Sequence, residues 1–448
     1  MNSRRKFWLS LWRWLVPGLK VKRYLALVLV GVMILMGGFV AWTRVGEQRN
    51  FFINFTARLT EISEMLYLGR WGWAALLMVL GVGLAWWGVV GLNRSLLRSL
   101  GSSPSETLDR IFTTRALGQG PKIVAIGGGT GLSNLLVGLK RFSSNITAIV
   151  AVTDDGGSSG RLRRSLDMPA PGDLIDCYAA LSDSPDLAKL LLHRFNRGEE
   201  LEGHTFGNLM LATLSEDRGD FASAITTLNN ILNVRGKVLP ATASTATLIT
   251  ELEDGSKIVG ESTLREQAAG RRIKRIRLQP RNLTAMSGTV ETILNAEMIV
   301  IGPGSLYTSV IPPLLVLDLA LAIKHSKATV MYVANIMTEH GETDHLSLFE
   351  HCQAITAHLG RKPDVVLVNN AAISATTLEK YQAERAEPVE IDLTRTREAG
   401  IHVHATRLTQ NGEGQHLPRA LSAALIRALL ERRLRSGLLA KTFRERAR

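Results

Sequence analysis

"KIVAIGGGTG" (Lys122–Gly131) and "ITAIVAVTDD" (Ile146–Asp155) share one form: an almost unbroken apolar run that ends in residues a packed core cannot use. A strand with one wet face would alternate polar and apolar positions. Continuous runs therefore predict strands buried on both faces. Between the two, Leu132, Leu135, Leu136 and Leu139 recur at i, i+3, i+4 and i+7, one face of a helix. The pattern returns in "EMIVIG" near Ile299, "ATVMYVAN" near Met331, "DVVLVNN" near Val366 and "IHVHATRL" near Val403, with helical stretches between most of them. Strands spaced by helices predict an α/β fold with a mainly parallel sheet covered on both sides. "TLITELEDGSKIVGE" and "RIKRIRL", between Thr247 and Leu278, instead predict antiparallel strands joined at Asp254-Gly255, an insertion or an edge of the main sheet.

Upstream of Lys122 the composition changes. All eight tryptophans (Trp8, Trp12, Trp14, Trp42, Trp71, Trp73, Trp86 and Trp87) precede residue 93, and tryptophan concentrates at membrane–water interfaces. Tyr24–Trp42 is 19 residues without a charge and Trp71–Leu92 is 22. A helix of roughly 20 apolar residues crosses the hydrocarbon core, so residues 1–92 read as a two-span anchor (24–42 and 71–92). The first span is too long for a signal-peptide core and no small-x-small cleavage site follows it. Arg4, Arg5, Lys6, Arg13, Lys20, Lys22 and Arg23 precede it with no acid among them, while the inter-span loop mixes arginines with Glu47, Glu61 and Glu64. The basic bias places the N-terminus and the large C-terminal part in the cytoplasm, at an inner or cytoplasmic membrane. Residues 93–120, rich in Ser, Gly and Pro midway, read as a juxtamembrane linker with a short helix.

The formal charge of +13 raises nucleic acid as a partner. The basic residues flanking the spans account for much of that charge, and no aromatic platform lies on a basic strand, so nucleic acid is not expected. Cys177 and Cys352 lack metal-ligand spacing and fit a reducing compartment. Residues 411–448 carry nine basic residues from Arg419 on against two acidic ones. They read as a basic helical C-terminus with a solvated end, close enough to an anchor to meet anionic lipid.

Ligands of open parallel sheets bind at the carboxyl ends of the strands, so the segments just after each strand carry the chemistry. Gly127 to Gly131 follows the first. Glycine lets a backbone approach a ligand, and the next helix offers unpaired N–H groups to an anion. The spacing is neither G-x-G-x-x-G nor a Walker loop, and by itself it is equally a tight turn. Asp154 and Asp155, then Ser158 and Ser159, follow the second strand. Carboxylates there can accept from sugar hydroxyls or hold Mg²⁺, and serines with backbone N–H groups can cradle phosphate; an Asx-capped turn is the structural alternative. Arg161, Arg163 and Arg164 are candidate phosphate contacts. "PGDLIDC" adds Asp173, "GHTFGNLML" adds His204, Thr205 and Asn208, "IGPGSLYTS" adds Gly304, Ser305 and Tyr307, and "NIMTEHGETDH" adds Asn335, Thr338 and Glu342. His340, His345 and His351 lack zinc spacing and read as a solvated helix face.

GGGTG, TDDGGSSGRLR, GHTFGN, GPGSLYTSVIP and MTEHGETD, in this order, resemble the YvcK/CofD-like family, the gluconeogenesis factors. The resemblance covers Lys122 to about Leu408 and assigns residues 121–410 to one nucleotide-sugar-binding domain. It implies a Rossmann-like three-layer fold, preceded here by two transmembrane helices. It also implies a UDP-sugar ligand such as UDP-N-acetylglucosamine and a role linking carbon status to cell shape and envelope synthesis. The related CofD branch is a Mg²⁺-dependent 2-phospho-L-lactate transferase. By motif, the resemblance assigns Gly128, Gly129, Thr130, Gly131, Asp154, Asp155, Ser158, Ser159, Asp173, Asn208, Gly304, Ser305 and Asn335 to the ligand site, with Asp154 and Asp155 as the metal candidates. This chain departs from the family pattern at Ile175 and Asp176, where Arg-Asn is usual, at Ala170 in place of a second proline, and at Glu339-His340 in place of Gln-Pro. Without a recognisable general base, a binding regulator is favoured over a transferase. Homo-oligomer formation is left open.

Overall fold

The computed structural model describes residues 21–43, 70–99, 115–435 and 437. The chain divides into two compact units, Met1–Thr114 and Arg115–Arg448.

In the first unit, helices Val21–Thr43 and Arg70–Ser99 form an antiparallel pair. Each contains a window, Arg23–Val40 and Gly72–Leu92, long and apolar enough to cross a membrane. Their contact is set by residues seven apart: Tyr24, Gly31 and Gly38 on one helix, and Ala74, Gly81 and Gly88 on the other. A Cβ added at Gly31 would lie 2.6 Å from Ala85 N, and one at Gly81 would lie 2.7 Å from Gly31 O. Only hydrogen fits between these backbones, as in close-packed membrane helices. Leu29, Met33, Met36, Val79, Trp86 and Trp87 face outward. The second helix extends through 93–99 into the expected linker; the short helix expected toward residue 112 lies outside the described residues.

In the second unit, strands β1 (Ile123–Gly127), β2 (Ile146–Val150), β3 (Lys237–Pro240), β7 (Met298–Ile301), β8 (Thr329–Val333), β9 (Val365–Asn369) and β10 (His402–Thr406) form one sheet in the order β10-β9-β8-β7-β1-β2-β3. Every pairing in it is parallel. β1, β2 and β7 are buried at every position, as continuous apolar runs require. Two apolar cores lie on its opposite faces: Ala125, Leu136 and Tyr178 belong to one, Ile126, Leu314 and Ile355 to the other. Strand β3, KVLP, has only one β-branched residue and escapes a periodicity reading.

β4 (Thr247–Leu252), β5 (Lys257–Val259) and β6 (Ile273–Gln279) form a separate antiparallel sheet, order β5-β4-β6, rather than an edge of the main one. Leu252 N donates to Ser256 O at 3.0 Å across the Asp-Gly turn, where Gly255 has a φ of +84°.

The expected helical C-terminus is present, and residues 436 and 438–448 at its end lie outside the described residues. Pro418–Arg435 is part of the core: Leu421, Leu425 and Leu429 are buried, and Ser422 Oγ packs onto Leu135 O of helix Gly129–Leu139. Arg432 pairs with Asp364 and Arg433 with Glu297, acidic residues at the starts of β9 and β7. Two of its arginines thus serve the fold. The His340–His351 reading is corrected. His351 is fully buried on helix Leu348–Leu359, with Nδ1 bonded to Ser347 O at 2.9 Å. His340 pairs with Asp344 and His345 with Glu387.

Candidate functional site

From β1 the chain steps to β2 and β3 on one side, then returns to place β7 on the other. Strand order reverses between β1 and β7, and at such a switch point the two exit loops part to open a crevice. A cleft of about 760 Å³ lies there, lined by Gly128 to Gly131, Pro303 to Ser305 and Asn335 to His340, with Tyr381 and His416 on its far wall. The sequence-predicted Gly128, Gly129, Thr130, Gly131, Gly304, Ser305 and Asn335 all line it.

The two glycine loops touch. A Cβ on Gly131 would lie 2.5 Å from Pro303 O and 3.0 Å from Gly304 N. Helix Gly129–Leu139 starts here with Gly128 as N-cap, which has no side chain to close the first turn. Asp173, at the start of helix Gly172–Leu181, supplies one acceptor: Gly129 N donates to its Oδ2 at 2.7 Å. Burial pushes the Asp173 carboxyl up to about 7, with the Gly129 hydrogen bond opposing and the charges of Asp176 and Asp154 adding to the rise.

The Asp154–Ser159 segment does not line the cleft, and most of its polar groups serve the surrounding fold. Asp154 Oδ1 accepts from Gly156 N at 2.9 Å, an Asx turn. Asp155 Oδ1 accepts from Glu261 N and Ser262 N at 3.1 and 2.8 Å, latching the segment after β5. Ser158 Oγ lies 2.9 Å from His204 Nδ1 and accepts from Asn208 Nδ2 at 3.0 Å, in a buried set of three. Burial and the charges of Arg161 and Arg194 lower the His204 pKa and favour its neutral ring. The Asn208 Oδ1 is buried without a partner. Ser159 is buried against Gly172.

The arginines of this segment are committed as well. Arg163 donates to Thr153 O, Ala246 O and Thr247 Oγ1, Arg161 to Glu202 O, and Arg164 to Asp155 O. Ile175 is fully buried and abuts Gly207, while the half-buried Asp176 has its carboxyl raised by burial, with Arg194 opposing.

Sequence reasoning missed Arg265, from the short helix after β5, because no motif marks it. Its guanidinium meets Glu339 Oε2 at 2.8 Å and Glu342 Oε1 at 3.3 Å. Burial, then the charge of Glu339, raises the Glu342 carboxyl, and burial pushes Glu261 up strongly. His416 is lowered to about 4 by burial. Of the charged residues that line the cleft, Glu339 and Glu384 outnumber Arg265.

Among the described residues no three His, Cys, Asp or Glu side chains converge on a metal-sized point. Asp155 spends one oxygen on two backbone N–H groups, and Asp154 spends one on Gly156. This donor set fits a Mg²⁺ held by one or two carboxylates together with ligand phosphates, not a protein cage.

Residues 123–409 match the family described as "2-phospho-L-lactate transferase CofD". A protein of Deinococcus radiodurans, "Putative gluconeogenesis factor", is 48% identical over 413 residues, 92% of this chain and 88% of its own length. The "Gluconeogenesis factor" of Bacillus subtilis is 46% identical over 289 residues, 64% of this chain and 90% of its own. The crystal structure of protein BH3568 from Bacillus halodurans superposes with a TM-score of 0.66 at 44% identity, covering 69% of this chain and all of that one. A match over 92% of the chain must include the second apolar helix, whereas the Bacillus subtilis match has no room for both units. The chain belongs to the CofD family, among relatives named gluconeogenesis factors.

Proposed function

We propose that this gluconeogenesis-factor relative is a membrane-tethered, two-pass regulator whose cytoplasmic domain binds a UDP-sugar such as UDP-N-acetylglucosamine. In this reading it links carbon status to cell shape and envelope synthesis. One observation carries the ligand reading: the switch-point cleft, where the glycine loops after β1 and β7 meet backbone to backbone beside a helix start whose N-cap, Gly128, has no side chain and where Asp173 takes only the Gly129 N–H. Backbone N–H groups at such a start suit phosphate oxygens without a basic side chain, and about 760 Å³ is within the range of small-molecule pockets. The two apolar helices support the tether.

A second reading, a Mg²⁺-dependent transferase of phosphoryl or nucleotidyl groups, is favoured by the family description. Here Asp154 and the ligand's phosphates would hold the ion, which would neutralise charge on the transferred group. The glycine loops would orient that group in either case. Calorimetric titration of the full-length protein in detergent with UDP-N-acetylglucosamine, UDP-glucose and GDP, with and without Mg²⁺, separates the two. Micromolar UDP-sugar binding supports the regulator. GDP binding that requires Mg²⁺, without UDP-sugar binding, supports the transferase.

A further inference from the structure

Glu339 draws its side-chain partners from three parts of the fold. Its carboxylate accepts from Ser305 Oγ at 2.6 Å, from the loop after β7, and from Arg265 Nη2 at 2.8 Å. Asn335 Nδ2, after β8, adds a longer contact of 3.4 Å to the other oxygen. All four residues line the switch-point cleft. A hydroxyl, an amide and a guanidinium converging on one carboxylate make the donor set that also recognises a phosphate or a ligand carboxylate.

The backbone of Glu339 is held within its own loop, while its side chain reaches water. Glu339 N donates to Thr343 Oγ1 at 2.9 Å, and its carbonyl accepts from Glu342 N and Thr343 N at 3.0 and 2.9 Å. Its side chain keeps 25% exposure, so rotation to water is open to it. Arg265 would keep its place if Glu339 left, because its Nε holds Glu342, whose side chain is fully buried. The Arg265–Glu339 pair does little for stability. Arg265 is 62% exposed, and exposed ion pairs contribute about 0–1 kcal/mol.

We propose that Glu339 is a place-holder for an acidic ligand group: Arg265, Ser305 and Asn335 form an anion subsite in the cleft, and Glu339 swings out when a ligand phosphate or carboxylate enters. The proposal rests on the cleft being the ligand site. It makes Glu339 an internal competitor that sets the affinity threshold, and Arg265 the basic side chain that meets the ligand's charge.

The test titrates full-length parent, Glu339→Gln, Glu339→Ala and Arg265→Met proteins in detergent with inorganic pyrophosphate and with UDP-N-acetylglucosamine. Removing the competing carboxylate should tighten pyrophosphate binding by about tenfold or more in both Glu339 variants, and Arg265→Met should weaken it by a similar factor. Equal pyrophosphate affinity in the parent and both Glu339 variants overturns the proposal. UDP-N-acetylglucosamine that binds parent and variants alike leaves the functional reading standing and removes the place-holder. Pyrophosphate gained on Glu339 substitution with no UDP-sugar binding anywhere keeps the anion subsite and removes the UDP-sugar.

Discussion

Gly129 N–H donates to Asp173 Oδ2 at 2.7 Å, so a carboxylate from another helix closes the first turn of the helix that follows β1. The arrangement opposes two forces on one proton. Burial favours the neutral acid and the backbone N–H favours the anion; burial wins, and the carboxyl titrates at about 7 instead of 3.8.

A stability profile follows from that shift. Between pH 4 and 7 the folded chain binds more protons at Asp173 than the unfolded chain does, so this group's contribution to stability falls as pH rises and is constant above the folded value. The slope is at most about 1.4 kcal/mol per pH unit for one group. Asp173→Asn removes it, so thermal unfolding of the variant at pH 5, 6 and 7 should lose less stability than the parent over that range. Parallel profiles would contradict the burial of this carboxyl. Glu342→Gln should act in the same direction, since burial raises that carboxyl too.

Gly131→Ala inserts a methyl group 2.5 Å from Pro303 O. Both contacting groups are backbone, so the loops after β1 and β7 must separate. The expected cost is about 1–3 kcal/mol of stability from overpacking, with a loss of UDP-sugar affinity of tenfold or more. Paired melting and titration experiments check both halves.

Asp155 holds the chain after β5 through two backbone N–H groups. Asp155→Ala should cost about 1–3 kcal/mol by leaving those donors unpaired. Asp155→Asn should recover part of the loss, because its amide oxygen still accepts. Denaturant unfolding of the two variants distinguishes this latch from a metal ligand, for which Asn would rescue little and the deficit would depend on Mg²⁺.

Gly81→Leu should separate the paired apolar helices, where a Cβ already meets Gly31 O at 2.7 Å. All eight tryptophans precede residue 93, so tryptophan emission reports on that unit alone. Its thermal transition in detergent should move down by several degrees, with UDP-sugar affinity unchanged.

Much of the fold was legible because its strands are unusually uniform. Ile123 to Ile126 and Ile146 to Val150 contain no residue that prefers water except Thr147, which identifies a buried parallel sheet without knowledge of its order. β3 was not legible: four residues ending in proline carry no periodicity, and the parallel pairing with β2 makes them a strand. The glycine loops were legible as a site because side chains would block them. Arg265 and Glu339 were not, because their roles arise from the approach of two segments 74 positions apart. The arginines after Asp155 show what a basic run leaves open. Their basic run suggests phosphate contacts, and in the fold Arg163 and Arg164 donate to backbone carbonyls, which sequence spacing does not reveal.

The most direct test of the central claim is amide hydrogen exchange of the full-length protein with and without saturating UDP-N-acetylglucosamine. The account predicts slowed exchange in residues 127–131, 304–309 and 335–340, the segments that meet at the β1–β7 switch point, with little change in the rest of the sheet. Protection confined to residues 270–272, 341–346 and 382–387, which line a second cleft of about 590 Å³, would contradict it and move the ligand site there.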